Sequence, residues 1–204
     1  MIIHEIEQNS PEWFELRAGI PTASAFSKLV TSTGAPSKQI EAYALLLAAE
    51  KFTGGEVESW EGNYHTQRGH ELEPQAREAY SFISDDDVQD VGFITDDQKL
   101  YGCSPDGLVG DHGILEIKCL KAENHIKTLM KKDKGCPADY LQQVQGQLFV
   151  TGRAHCDLFF FHPTLPKFSI RVAADTGFHM KLAAAIQDVI ERRDAALKVL
   201  EQYG

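Results

Sequence analysis

An aspartate, a glutamate and a lysine stand close together in the stretch CSPDGLVGDHGILEIKC, which runs from Cys103 to Cys119. Asp106 lies in a Ser-Pro-Asp-Gly turn, and Glu116 and Lys118 follow inside and just after the apolar run Ile114-Leu115-Glu116-Ile117. A strand sends alternate side chains to opposite faces, so Glu116 and Lys118 project together while Leu115 and Ile117 project the other way. One face is expected to be chemical and the other to be core. Burying a charge is costly unless it is paired or binds metal, and a function would justify that cost. Two carboxylates brought together from a turn and a strand repel each other unless a cation lies between them, and all-oxygen ligation suits a hard divalent ion such as Mg2+. Such an ion activates water and stabilises charge on a phosphorus centre, with a nearby lysine orienting the nucleophile or neutralising charge. The implied chemistry is metal-dependent hydrolysis of a phosphodiester. Spacing alone is also that of a common Pro-Asp-Gly turn and a solvent-facing strand pair.

The elements that must position these residues follow from the flanking pattern. Ser10 caps a short helix with Pro11 in its first turn, and Gly19 stops it; this helix carries Trp13, Phe14, Leu16 and Arg17. Thr22 or Ser24 then caps a second helix through about Val30, whose start offers N–H groups and hydroxyls to a phosphate. The polar loop 31–38 either contacts a ligand or only connects helices. Further helices are expected over 37–52, ended by Gly54-Gly55, and over 66–82, where Glu73 and Arg77 sit one turn apart as an i,i+4 ion pair. Asp85-Asp86-Asp87 reads as a solvated turn. Strands are expected over 88–95, 100–109 and 114–120, then a helix over 137–150, two strands over 154–162 and 168–174, and a long amphipathic helix over 175–202. In the 137–150 helix, Gln143 and Gln147 lie one turn apart on a face more polar than a simple core helix needs.

At 204 residues and 43% hydrophobic, the chain suits one globular α/β domain over residues 1–204 that buries about 70% of its unfolded surface. No apolar run approaches the roughly 20 residues that span a bilayer, and MIIHEIEQNSPEW is no signal peptide, so a soluble, cytoplasmic protein is expected. The cysteines at 103, 119, 136 and 156 form no CxxC pair, which argues against zinc or iron-sulfur ligation and for free thiols. A net charge of −10 argues at first against a nucleic-acid partner, but an acidic chain can still hold a local basic channel. The densest positive segment is 121–134, with Lys121, Lys127, Lys131, Lys132 and Lys134, and it fits either DNA-backbone contact or a solvated face.

Ser104-Pro105-Asp106-Gly107 followed by Leu115-Glu116-Ile117-Lys118-Cys119 resembles the active-site core of the phage lambda exonuclease family of viral recombinases, within the PD-(D/E)XK nuclease superfamily. Three further motifs match in the same order: W-x3-L-R-x-G with T-A-S from Trp13 to Ser24, R-G-x3-E-P around Glu73, and Y-x-x-Q-V-Q from Tyr140. The resemblance implies a central mixed sheet flanked by helices, with Asp106 and Glu116 meeting at a strand end. It places metal on Asp106, Glu116 and the main-chain carbonyl of Ile117, and water-orienting roles on Lys118 and Gln143. It makes Glu73 a third acid and sets Arg17, Thr22 and Ser24 on the phosphate of a 5' end. It further implies an Mg2+-dependent exonuclease, with Mn2+ as a possible substitute, that degrades one strand of linear duplex DNA from the 5' end. Ring-shaped homotrimers and a single-strand annealing partner belong to the same expectation. A restriction-type or repair nuclease of the superfamily, or a non-catalytic module that binds DNA ends, are the alternatives. Intact acids and lysine argue against the last.

Overall fold

The computed structural model describes residues 1–55, 57, 64–84 and 87–204. Its helices are α1 (Pro11–Arg17), α2 (Ile40–Thr53), α3 (Tyr64–Ser84), α4 (Ala122–Leu129), α5 (Ala138–Thr151) and α6 (Thr176–Tyr203). The strands are β1 (Ile2–His4), β2 (Val88–Gln89), β3 (Phe93–Thr95), β4 (Gly102–Cys103), β5 (Gly107–Val109), β6 (Gly113–Lys118), β7 (His155–Phe160) and β8 (Phe168–Ala173). Local chemistry sets several boundaries. The Ser10 side chain accepts from the Trp13 N–H at the start of α1, Asp175 accepts from Phe178 N–H at the start of α6, and left-handed Gly54 and Gly152 end α2 and α5.

Five strands form a mixed sheet in the order β2-β5-β6-β7-β8, in which only β6 and β7 run parallel; α4 and α5 make the crossover between them. A smaller antiparallel sheet, β1-β3-β4, adjoins it. The central strands are buried on both faces, as a parallel pair covered by helices requires. Phe26, Leu47, Ile114, Leu148, Leu158, Phe160 and Leu182 belong to the larger core, on one side. Ala76 and Tyr80 of α3 pack with Leu115, Ile117, Phe159 and Phe161 on the other. Among the described residues no helix is long and apolar enough to cross a membrane.

Several sequence expectations change. The expected helix from Thr22 or Ser24 to Val30 is a 3-10 helix, Ala23–Lys28, without a side-chain cap, and Gly146 of α5 lets the Phe26 ring pack against α5 where a Cβ would collide. The expected strand 88–95 breaks into β2 and β3, which join different sheets, because at Gly92 the chain passes so near the Ile6 carbonyl that no Cβ fits. Likewise 100–109 divides into β4 and β5 around Ser104-Pro105-Asp106, and at that break the Asp106 side chain turns onto the backbone of β6. The lysine-rich stretch holds α4 and then a 3-10 turn at Lys132–Lys134. The face carrying Glu116 is not purely chemical, since Ile114 on that face lies in the larger core. Of the acidic triplet, Asp85 and Asp86 lie outside the described residues.

Candidate active site

The break between β4 and β5 delivers Asp106, and two hydrogen bonds sew its turn to β6. Ile117 N–H donates to Asp106 Oδ2 at 2.5 Å, and Asp106 N–H donates to the Leu115 carbonyl at 3.0 Å. Arg77 of α3 holds the same turn from outside by donating to the Asp106 carbonyl; it also donates to Glu73 Oε1 at 3.0 Å and to Asp90 Oδ1 at 2.6 Å. The Glu73–Arg77 pair is thus more than a surface i,i+4 pair, because the arginine ties the third acid to the Asp106 turn.

Glu116 is 3% exposed, and its hydrogen-bond partners among the described residues come from its own strand and α5. Lys118 Nζ donates to Glu116 Oε1 at 2.6 Å, Gln143 Nε2 to the same oxygen at 2.7 Å, and Gln147 Nε2 to Oε2 at 2.6 Å. Lys118 also donates to Gln143 Oε1 at 3.1 Å and stands 5.1 Å from the Tyr140 ring centre. The resemblance gives a role to Gln143 and not to Gln147, yet Gln147 is buried and its Oε1 has no hydrogen-bond partner among the described residues. The i,i+4 spacing of the two glutamines was the signal that both face one acid.

The electrostatics are unbalanced. Burial pushes the Asp106 carboxyl well above the usual carboxylate range, and the charges of Glu116 and Glu73 push it further, against the Ile117 N–H and Lys118. Burial works against the Lys118 ammonium, but Glu116 and then Asp106 outweigh it, so its pKa rises and it stays charged. The four cysteines are free; burial pushes the Cys119 thiol up to about 11 and raises Cys103 and Cys156 as well. Neutral thiols are poor metal ligands. Among the described residues no group of three His, Cys, Asp or Glu forms a ready-made metal cage. The donor chemistry of Asp106, Glu116 and a main-chain carbonyl nevertheless fits a hard divalent cation, whose charge would relieve the crowding that holds Asp106 up.

The amino-terminal motif reaches the same place. The Arg17 guanidinium lies 3.8 Å from the Trp13 ring centre and 3.5 Å from Ser104 Oγ, to which Trp13 Nε1 donates at 2.9 Å. Thr22 pairs with Gly102 as an isolated bridge, its side chain is buried, and its Oγ1 is 3.3 Å from Ser24 Oγ; Ser24 itself is exposed. Arg17 and Thr22 therefore adjoin the strand end that leads to Asp106.

One more buried acid lies next door. Asp157 of β7 pairs in register with Leu115, and its carboxylate accepts two bonds from Arg171, each at 2.7 Å, and one from Tyr80 Oη at 2.6 Å. Nothing in its local sequence marked it.

Residues 12–154 match the YqaJ-like viral recombinase domain. The chain belongs to that family. A search of curated proteins gives no significant match. Among solved structures, the alkaline exonuclease LHK-Exo from Laribacter hongkongensis is 32% identical with a TM-score of 0.83, covering 95% of this chain and 97% of that one. The structure of LHK-Exo in complex with dAMP matches at 31% identity and a TM-score of 0.82, with the same coverage. A phage-related exonuclease from Haemophilus somnus 129PT shares the fold at a TM-score of 0.69 and 15% identity, over 91% of this chain and 96% of that one. The α/β architecture expected from the resemblance, a central mixed sheet flanked by helices as in PD-(D/E)XK nucleases, is the one observed. Family and fold together support a nuclease.

Proposed function

We propose that this chain is an Mg2+-dependent exonuclease that degrades one strand of linear duplex DNA processively from its 5' end, leaving a 3' overhang for strand annealing. The observation that carries this reading is the Asp106, Glu116 and Lys118 cluster, with three donors on one buried glutamate, in a chain related along nearly its whole length to an alkaline exonuclease. LHK-Exo binds dAMP, and a mononucleotide is what end-wise hydrolysis releases, which favours exonucleolytic over internal cutting. On this reading residues 1–204 act as one soluble, cytoplasmic nuclease domain. Three copies form a ring that passes the 3' strand to a single-strand annealing protein.

Asp106, Glu116 and the Ile117 carbonyl would hold Mg2+, or Mn2+ in its place, and the bound ion would supply a Lewis acid for the scissile phosphate and an acidified water. Lys118 works as an ammonium: its raised pKa makes it a hydrogen-bond donor that orients the attacking water and offsets charge, not a base. Gln143 bridges Lys118 and Glu116 and so fixes the direction of the ammonium. Gln147 fixes the other oxygen of Glu116, as outer partners of metal-ligating carboxylates do. Glu73 adds charge at Asp106 and strengthens the call for a cation. Arg17, with Ser24 and Thr22, holds the terminal phosphate and sets register.

The test is a linear duplex labelled at one 5' end, incubated with Mg2+ or chelator beside a covalently closed circle. Mg2+-dependent release of labelled mononucleotide from the linear substrate, with the circle intact, is the expected result. A cut circle would replace this reading with an internal nuclease, and an uncut linear duplex with a binding module.

A further inference from the structure

Some of the cations of this acidic chain are matched to acids. Arg77 pairs with Glu73 and Asp90, Arg171 with Asp157, Arg192 with Glu41 and Asp188, and Lys51 with Asp194. Lys127, Lys131 and Lys134 are exposed and, like Lys38, Lys99 and Lys198, have no carboxylate partner among the described residues; the first three are set apart by gathering in one place. All three line one groove of about 480 Å³ between α4 and the start of α5, where Asp139 is the single acid on the wall. Tyr140, the residue whose ring centre lies 5.1 Å from Lys118 Nζ, is also on its wall. Like charges lining a concave wall focus the potential into it.

We infer that this groove holds the phosphodiester backbone of the strand being cut, on the side of the scissile phosphate away from Arg17. The inference rests on the nuclease reading above and adds a strand path to it. Arg17 joins the cluster through Ser104, two residues before Asp106, whereas the groove joins it through Tyr140 beside Lys118. A strand whose terminal phosphate is on Arg17 and whose scissile phosphate is at Asp106 and Glu116 would run on past Lys118 along Tyr140 into the groove. The lysines supply point charges without reading sequence, so binding there is sequence-independent and salt-sensitive.

The experiment compares the wild type with a Lys127→Gln, Lys131→Gln, Lys134→Gln triple variant, and with a control triple Lys38→Gln, Lys99→Gln, Lys198→Gln that alters exposed lysines outside the groove by the same net charge. Anisotropy of a labelled linear duplex is read in Ca2+ over a series of salt concentrations. The groove variant should lower the slope of log affinity against log salt by about 2–3, roughly one per lysine, while the control triple leaves it close to wild type. A duplex with neutral methylphosphonate linkages just beyond the scissile position, in the cut strand only, should bind wild type with the same reduced slope and show little further loss with the groove variant. An unchanged slope in the groove variant, or equal losses in the two triples, overturns the groove while the wild type still cuts DNA. Full additivity of the methylphosphonates and the groove variant overturns the assignment to that strand. A wild type that neither cuts nor binds the duplex sinks the nuclease reading itself, and the groove with it.

Discussion

Glu116 and Asp157 lie on adjoining strands and are 3% and 4% exposed, yet the two acids are handled in opposite ways. Around Asp157 the charges balance. Burial alone would raise its pKa, but the bidentate Arg171 and the Tyr80 hydroxyl outweigh burial and hold the carboxyl below the usual range. Around Glu116 they do not. One ammonium and two amides serve it, while Asp106 and Glu73 add further negative charge, and Asp106 is driven up. A buried acid whose own fold completes it is structural; a crowd of acids that the fold leaves short of positive charge is a place built for a cation or a substrate from outside.

Substitutions on the two sides of the sheet should separate these roles, and the largest effect belongs to the unbalanced side. Lys118→Ala should lower the single-turnover rate of Mg2+-dependent cleavage by about 10³-fold, the usual loss for one donor at a developing charge, with a circular dichroism spectrum like that of wild type. Next comes Asp157→Asn, which weakens the Arg171 and Tyr80 bonds and should cost about 1–3 kcal/mol in urea unfolding, with cleavage per folded molecule within a few-fold of wild type. Gln147→Leu should weaken Mg2+ binding in calorimetry by about tenfold, because Glu116 loses the partner that fixes its second oxygen. The smallest change is in the stability of the metal-free protein against pH. A raised carboxylate pKa is a cost that begins as pH climbs above the ordinary carboxylate pKa and is complete at the raised one, so Asp106→Asn should remove a fall in stability over that window. The depressed pKa of Asp157 is a gain present above the ordinary carboxylate pKa and lost as pH falls through the depressed one, so Asp157→Asn should flatten the acid limb instead. Identical pH profiles for the two variants would erase the distinction.

The sequence revealed one of these two clusters and not the other for a physical reason. Asp106, Glu116 and Lys118 fall within thirteen residues, and the Pro-Asp-Gly turn and the alternation of the strand tell which way each points. Asp157 depends on Tyr80, 77 positions away on another element, and on Arg171 across a strand pair, so no local pattern shows it. The long elements, α5, β7, β8 and α6, were legible from period and caps. The three-residue β1 and the breaks at Gly92 and Ser104-Pro105-Asp106 were not, because their cause is the close approach of distant backbone and the meeting of two sheets. Gln147 fell between: its spacing from Gln143 was visible, but the chain fold alone puts its amide on Glu116.

The account turns on whether the unbalanced cluster is the metal-dependent site, and the most direct measurement is Mg2+-dependent release of the 5'-terminal nucleotide by Asp106→Asn and Asp157→Asn side by side, at a temperature where both are folded. The account predicts no detectable release from Asp106→Asn at any Mg2+ concentration and near wild-type release from Asp157→Asn. Release from Asp106→Asn at the wild-type rate would contradict it.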